Sequence, residues 1–298
     1  MPSPQHEQIV AMIRSRATPA DNSIEAQRAG MEEMLSMFPL AEDVAVDEFQ
    51  LEHLNADWVQ VPESDFTRVV LYLHGGGYVL GSNRTHRELA SRIARAAQAR
   101  VLLPNYRLAP EHPFPAAVED AVMAYQWLLA HGTDAQHISL AGDSAGGGLT
   151  LATLLALKSQ GLPLPACAVC LSPWTDLEGT GGSAQPGGAD DPMIELEGLR
   201  DMGRLYAGED LRNPLAAPLY GDYAGLPPLL IQVGTRELLL DDSTRVAEKA
   251  EQVGVEVSLE IEPGLIHVWQ ALGPDVPESI TAVNSIGEFI RRNTPHTA

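Results

Sequence analysis

The chain has 298 residues, 45% of them hydrophobic, and a formal net charge of −21. That length and apolar content can bury one large core, a normal size for an α/β domain. The excess of acid disfavours nucleic acid and anionic membrane surfaces as partners, because both need basic patches. No apolar run reaches the roughly 18 residues of a membrane span. The start, Met1-Pro2-Ser3-Pro4-Gln5-His6-Glu7, has no basic region followed by an apolar one. The expectation is a cytoplasmic protein without stable membrane insertion.

Residues 1 to about 42 carry helical patterning. Ile9, Val10, Met12 and Ile13 form one apolar stripe. Met31, Met34, Leu35, Met37 and Phe38 form another, which stops before Pro39. A methionine-rich stripe suits an adaptable apolar lining as well as ordinary packing. Phe49 to Leu54 and Trp58 to Val61 then alternate apolar with polar residues, predicting an edge hairpin that turns at Asn55-Ala56-Asp57.

From Val69 the period changes. Val69 to Leu73 is a continuous apolar strand ending in His74-Gly75-Gly76-Gly77, and a helix over Glu88 to Gln98 leads to the strand Val101 to Leu103. A helix over Ala116 to Ala130 precedes the strand that enters Ser144. After the next helix come strands at Cys167 to Leu171, Leu229 to Val233 and Val255 to Ile261. Helices over Asp242 to Val253 and Pro277 to Arg291 follow the last two. Apolar strands alternating with helices predict a mainly parallel α/β sheet covered on both faces. Ligands bind such sheets at the carboxyl ends of the strands. His74, Ser144, Glu237 and His267 all follow strands directly, so they are expected on one edge.

One excursion breaks the alternation. Residues 178 to 192 are too rich in Gly and Pro for a regular element, and a helix over Ile194 to Tyr206 follows. With the N-terminal helices this segment could form a lid. The chain therefore divides into N-terminal helices over 1–45, forming part of a cap, and a catalytic domain over 46–298 with a cap insertion at about 178–225.

Cys167 and Cys170 spell C-x-x-C, but within a buried strand. Residues three apart on a strand point to opposite faces, with Cα atoms about 10 Å apart. That is too far for a disulfide, and no second pair completes a zinc site. They read as core thiols.

The chemistry concentrates at Gly142-Asp143-Ser144-Ala145-Gly146. A strand, a tight turn with glycines on both sides of a serine, and an immediate helix make the context of a G-x-S-x-G nucleophile elbow. The serine needs a strained backbone position, and the glycines let neighbouring chain pass close. Attack on a carbonyl places negative charge on its oxygen, which waiting N–H donors must stabilise. The glycine run supplies such donors, assigned to Gly75 and Gly76, with the Ala145 N–H as their partner. A phosphate loop is the alternative for that run, but no G-K-[ST] follows it. Of nine histidines, His267 alone lies on the loop after the last core strand and satisfies the order serine, acid, histidine. His6, His131, His137 and His296 are expected to be solvated, and His74 to anchor the glycine loop.

Four motifs now stand in order. His74-Gly75-Gly76-Gly77, Tyr106-Arg107-Leu108-Ala109-Pro110-Glu111, Gly142-Asp143-Ser144-Ala145-Gly146 and Ser172-Pro173-Trp174-Thr175-Asp176 together resemble the bacterial hormone-sensitive-lipase family of α/β-hydrolase esterases, in its GDSAG branch. The resemblance runs from about Val69 to the C-terminal helix. It implies an eight-stranded sheet, a cap partly made by N-terminal helices, and carboxylesterase activity on short- to medium-chain esters. It implies no metal and no organic cofactor, and dimerisation through the last strand and helix. The family often carries Asp-Pro-Leu-x-Asp where this chain has Arg236-Glu237-Leu238-Leu239-Leu240-Asp241, so the acid's identity stays open among Glu237, Asp241 and Asp242. Glu237 comes first beyond its strand and is carried forward, while Asp241 or Asp242 reads as a helix N-cap. Asp143 and Asp176 are given structural roles.

The expected reaction is acyl transfer to water through an acyl-enzyme on Ser144, with His267 as base and Glu237 behind it. A lactone or acetylated small-molecule hydrolase would use the same machinery. A non-catalytic binding protein on this fold is a second rival, and the presence of His267 argues against it; nothing in the sequence marks the third, an amidase or peptidase.

Overall fold

A computed structural model describes residues 1–15, 21, 23–35 and 38–294. The elements in chain order are helices α1 (Pro4–Ser15) and α2 (Ile24–Leu35), then strands β1 (Ala45–Leu51), β2 (Leu54–Gln60) and β3 (Asp65–Leu73). After these come α3 (Asn83–Ala97), β4 (Ala99–Pro104), α4 (Ala116–Ala130), β5 (Ile138–Asp143), α5 (Ala145–Ser159) and β6 (Cys167–Leu171). The chain ends with α6 (Leu196–Ala207), β7 (Leu229–Gly234), α7 (Leu240–Gln252), β8 (Val257–Glu262) and α8 (Pro277–Asn293). Among the described residues, no helix is long and apolar enough to cross a membrane.

The strands form one eight-stranded sheet in the order β1-β2-β4-β3-β5-β6-β7-β8. β1 pairs antiparallel with β2, and β2 antiparallel with β4. From β4 to β8 every pairing is parallel. The continuous apolar runs have a simple cause: each central strand is buried on both faces. In β3, Val69, Leu71 and Leu73 join one core layer, while Val70 and Tyr72 join the other. Each such fully buried aliphatic side chain contributes roughly 1.5–3 kcal/mol. Helices α4, α5 and α7 pack on the first layer and α3 and α8 on the second. Cys170 and Cys167 divide between the same two layers as free, buried thiols, and burial raises the Cys167 thiol to about 12.

The hairpin turns earlier than its sequence suggests. Leu51 pairs with Leu54, so the turn is Glu52-His53, and Asn55-Ala56-Asp57 lie within β2. Glu52 supplies the turn with a left-handed backbone (φ 51°) and no glycine marks it. Asp57 is retained in the strand by a 2.7 Å ion pair to Arg87 on α3.

His6 also departs from expectation. It is buried rather than solvated, because α1 lies against the body with Val10 packed among Leu265, Ile266 and Trp269. Ser3 ties the start of α1 to Glu278 at the start of α8, and Arg14 pairs with Asp190 in the 178–192 segment at 2.6 Å. Helix α2 is held by Arg28, which donates to the Val79 carbonyl and the Glu111 carboxylate, both at 2.8 Å. Ser82 bonds Glu32 at 2.5 Å. Met31, Met34 and Phe38 face the cavity described below, whereas Met37 and His296 lie outside the described residues.

Candidate active site

Because β3 and β5 through β8 run parallel, their carboxyl ends share one edge of the sheet. The loops leaving those ends carry His74, Ser144, Ser172, Glu237 and His267. Ser144 sits between β5 and α5 with φ 54° and ψ −121°, a backbone that side-chain-bearing residues rarely adopt. Three bonds enforce it. The Ser144 N–H donates to the Leu171 carbonyl (2.8 Å), and its carbonyl accepts from Gly148 (3.0 Å) and Trp174 (2.9 Å). The flanking glycine at 146 is obligatory: a Cβ there would lie 2.0 Å from the Leu73 carbonyl oxygen.

His267, after β8, and Glu237, after β7, are in contact. His267 Nδ1 lies 2.9 Å from Glu237 Oε2, and both side chains are buried. Burial by itself would lower the imidazole, but the bond to Glu237 and its charge outweigh that, and His267 stands above its ordinary value. Glu237 Oε1 accepts from the Gly234 N–H (2.6 Å) and the Ser172 hydroxyl (2.8 Å). Ser144, His267, Gly76 and Gly77 all line a single cavity of about 820 Å³. Ala145 opens α5, and the first N–H groups of a helix lack intrahelical partners.

The other two candidate acids have different partners. Asp241 and Asp242 stand in the first turn of α7, and neither is its N-cap, a position held by Leu239. The helix starts at Leu240, two residues upstream of the Asp242 start that the Asp-Asp-Ser pattern suggests. Asp241 Oδ2 accepts from the Ser183 N–H at 3.1 Å. Asp242 is buried and accepts from the Thr175 and Asp176 N–H groups at 2.7 and 2.8 Å. Burial, with Asp176 nearby, raises the Asp242 carboxyl to about 7. Asp176 in turn receives Thr180 and Arg245, so both aspartates organise turns.

Gly75 is the clear difference from the sequence reading. Its N–H is given to Asp143 Oδ1 at 3.1 Å, and the residue does not line the cavity. Asp143 draws it away because it is a buried acceptor needing donors; Tyr72 (2.8 Å) is another. Gly76 and Gly77 line the cavity instead, Gly77 so close to Met202 that a Cβ would fall 2.3 Å from the sulfur. His86 was also missed. It caps this cluster at 3.3 Å from Asp143, and its place in the first turns of α3 carries no local signal of that role. Burial opposes charge on both groups, but their mutual attraction lowers Asp143 and raises His86. His74 does hold the glycine loop: its Nδ1 is 2.8 Å from the Gly75 carbonyl and its ring stacks on Tyr106. Among the described residues, no cluster of three or more His, Cys, Asp or Glu side chains is placed to hold a metal ion.

A doubly covered parallel sheet with a strained serine after β5 and a paired carboxylate and histidine after β7 and β8 defines an α/β-hydrolase site. The sequence agrees, since residues 70–271 match the profile of a family with the α/β hydrolase fold. The chain belongs to that family and, within it, to the bacterial hormone-sensitive-lipase esterases. A crystal structure of an esterase of that group superimposes with a TM-score of 0.96 at 47% identity, over 99% of this chain and 100% of the other. The esterase EstE5, solved after soaking with p-nitrophenyl butyrate, gives 0.93 at 44% identity, over 98% of this chain and 99% of its own. An acetyl-hydrolase of Streptomyces hygroscopicus is 43% identical over 99% of this chain and 98% of its own.

Proposed function

We propose that the protein is a serine carboxylesterase that hydrolyses short- to medium-chain esters through an acyl-enzyme. The observation that carries this reading is the 2.9 Å contact of His267 with Glu237 beside a serine at φ 54° on the same cavity. Ser144 Oγ attacks the ester carbonyl while His267 Nε2 takes its proton and passes it to the leaving alcohol. Glu237, bonded to Nδ1, fixes the tautomer that leaves Nε2 free to accept, and stabilises the imidazolium. Water then repeats the sequence on the acyl-enzyme. The developing oxyanion is assigned to the N–H groups of Gly76, Gly77 and Ala145, since Gly75 spends its own on Asp143.

Residues 1–45 and the 178–225 insertion are assigned to a cap. Ile13, Met31 and Met34 from the former, and Met193, Leu199 and Met202 from the latter, make much of the cavity wall apolar. A cavity of about 820 Å³ leaves room for more than an acetyl group. β8 ends the sheet and leaves Ile261 exposed, as α8 does Ile280, so the pairing of two copies is assigned to this face.

The test is turnover of p-nitrophenyl esters of increasing acyl length by the purified protein, together with labelling by a fluorophosphonate. Activity peaking at about four to eight carbons, with Ser144 as the labelled residue, is expected. Failure to label, or hydrolysis that persists in Ser144→Ala, would sink the mechanism.

A further inference from the structure

We propose that Ser172 is a positioning residue for catalysis: its single hydroxyl clamps the loop that carries the acid to the loop that carries the base. This inference rests on the assignment of Glu237 and His267 as acid and base.

The geometry fixes which way the hydroxyl acts. Ser172 Oγ accepts the N–H of Val268, the residue after His267, at 3.1 Å. It donates to Glu237 Oε1 at 2.8 Å. A hydroxyl has one proton, and Val268 can only donate, so that proton belongs to Glu237. Ser172 is fully buried, so no water competes for either bond. Glu237 and Val268 are thus tied through one oxygen, although the acid leaves β7 and the base leaves β8.

The backbone at Ser172 is shaped for this. Its φ of 46° is left-handed, which a non-glycine residue adopts at a cost. Its N–H is committed to the Gln232 carbonyl at 2.7 Å, so the turn at the end of β6 is registered against β7. Val268 is left-handed too, at φ 49°, and so its N–H needs an acceptor outside regular structure. Two strained residues joined through the hydroxyl of one of them are the arrangement expected where position matters more than local comfort.

The consequence is specific. Glu237 accepts three donors: Gly234 and Ser172 on Oε1, His267 on Oε2. Remove Ser172 and the carboxylate is held by Gly234 alone on that side, free to pivot, while the Val268 N–H loses its acceptor. Displacement on the order of 1 Å from productive geometry can cost about a hundredfold in rate. The imidazole would also lose part of the contact that raises it, and fall back toward its ordinary value.

The experiment compares Ser172→Ala with Ser172→Gly in the full-length protein. Glycine accommodates the left-handed backbone without strain, so it removes the hydroxyl while sparing the fold, as a melting curve checks. For the glycine variant the expected result is kcat on p-nitrophenyl butyrate lower by about 10- to 100-fold, KM within about twofold, and the acid limb of the pH–rate profile moved to lower pH. In a Glu237→Gln background the same change should cost clearly less than in the wild type, since the carboxylate it positions is already lost and only the Val268 contact remains. Retained kcat, an unmoved or upward-moved limb, or a full additive loss in the Glu237→Gln background each overturn the proposal. If Glu237→Gln alone keeps full activity, the acid assignment has failed instead, and the two failures are told apart.

Discussion

The N–H of Gly75 donates to the carboxylate of Asp143 at 3.1 Å, joining the glycine loop after β3 to the residue immediately before the candidate nucleophile. The spacing of loop and elbow therefore rests on a buried contact, and Asp143 is itself braced by Tyr72 and His86. Ser144 is presented toward Gly76 and Gly77 because of what happens one residue earlier in each segment.

Ser144→Ala and His267→Ala are each expected to lower ester hydrolysis by several powers of ten with the fold intact. The double variant should cost little more than either alone, because the two act as one unit. Steady-state kinetics with a melting curve for each variant checks this; additive losses would show that they act separately.

Glu237→Gln should lower kcat by about 10³- to 10⁴-fold, as expected when a carboxylate that orients the imidazole is neutralised. Asp241→Asn should keep kcat. Its carboxylate receives the Ser183 N–H, so the variant is expected to lose stability, on the order of 1 kcal/mol. Chemical denaturation beside kinetics separates the two, and the opposite pattern would move the acid role to Asp241.

His74 gives stability a pH dependence with a definite sign. It is buried, and burial lowers it from 6.5 to about 3. Below about 6.5 the unfolded chain binds a proton that the folded chain refuses, so this contribution is lost as pH falls toward 3, by roughly 1.4 kcal/mol per unit. Asp242, raised to about 7, acts in the opposite sense: the folded form keeps a proton that the unfolded chain releases from about 3.8 upward, and stability is lost as pH rises. The clean observable is the difference between wild type and His74→Asn. That difference should shrink steadily from pH 6.5 to 4.5 in denaturation curves, and a constant difference would contradict it.

The cap assignment predicts altered selectivity. Met202→Ala, which removes the sulfur packed against Gly77, and Met31→Ala in the wall of the same cavity should shift the acyl-chain optimum to longer esters. Removing residues 1–40 should change KM and chain-length preference more than it changes the melting temperature. Unaltered kinetics across an ester series in all three would reduce these helices to packing.

The alternation of apolar strands with helices, the strained serine turn and the position of His267 after the last strand were legible in the sequence, because each is a local pattern. A run such as Val69 to Leu73 has to be buried on both faces, and a serine framed by glycines at a strand-to-helix turn has few other uses. Local patterns could not say which glycine keeps its N–H free, that His6 is buried, that His86 braces Asp143, or that Ser172 joins acid to base. Those outcomes depend on partners far away in the chain: 68 residues separate Gly75 from Asp143, 96 separate Ser172 from Val268, and 275 separate Ser3 from Glu278. A donor's fate is decided by the nearest buried acceptor in space. Only the assembled sheet, which gathers the carboxyl ends of β3 and β5 through β8 at one edge, brings that acceptor within reach.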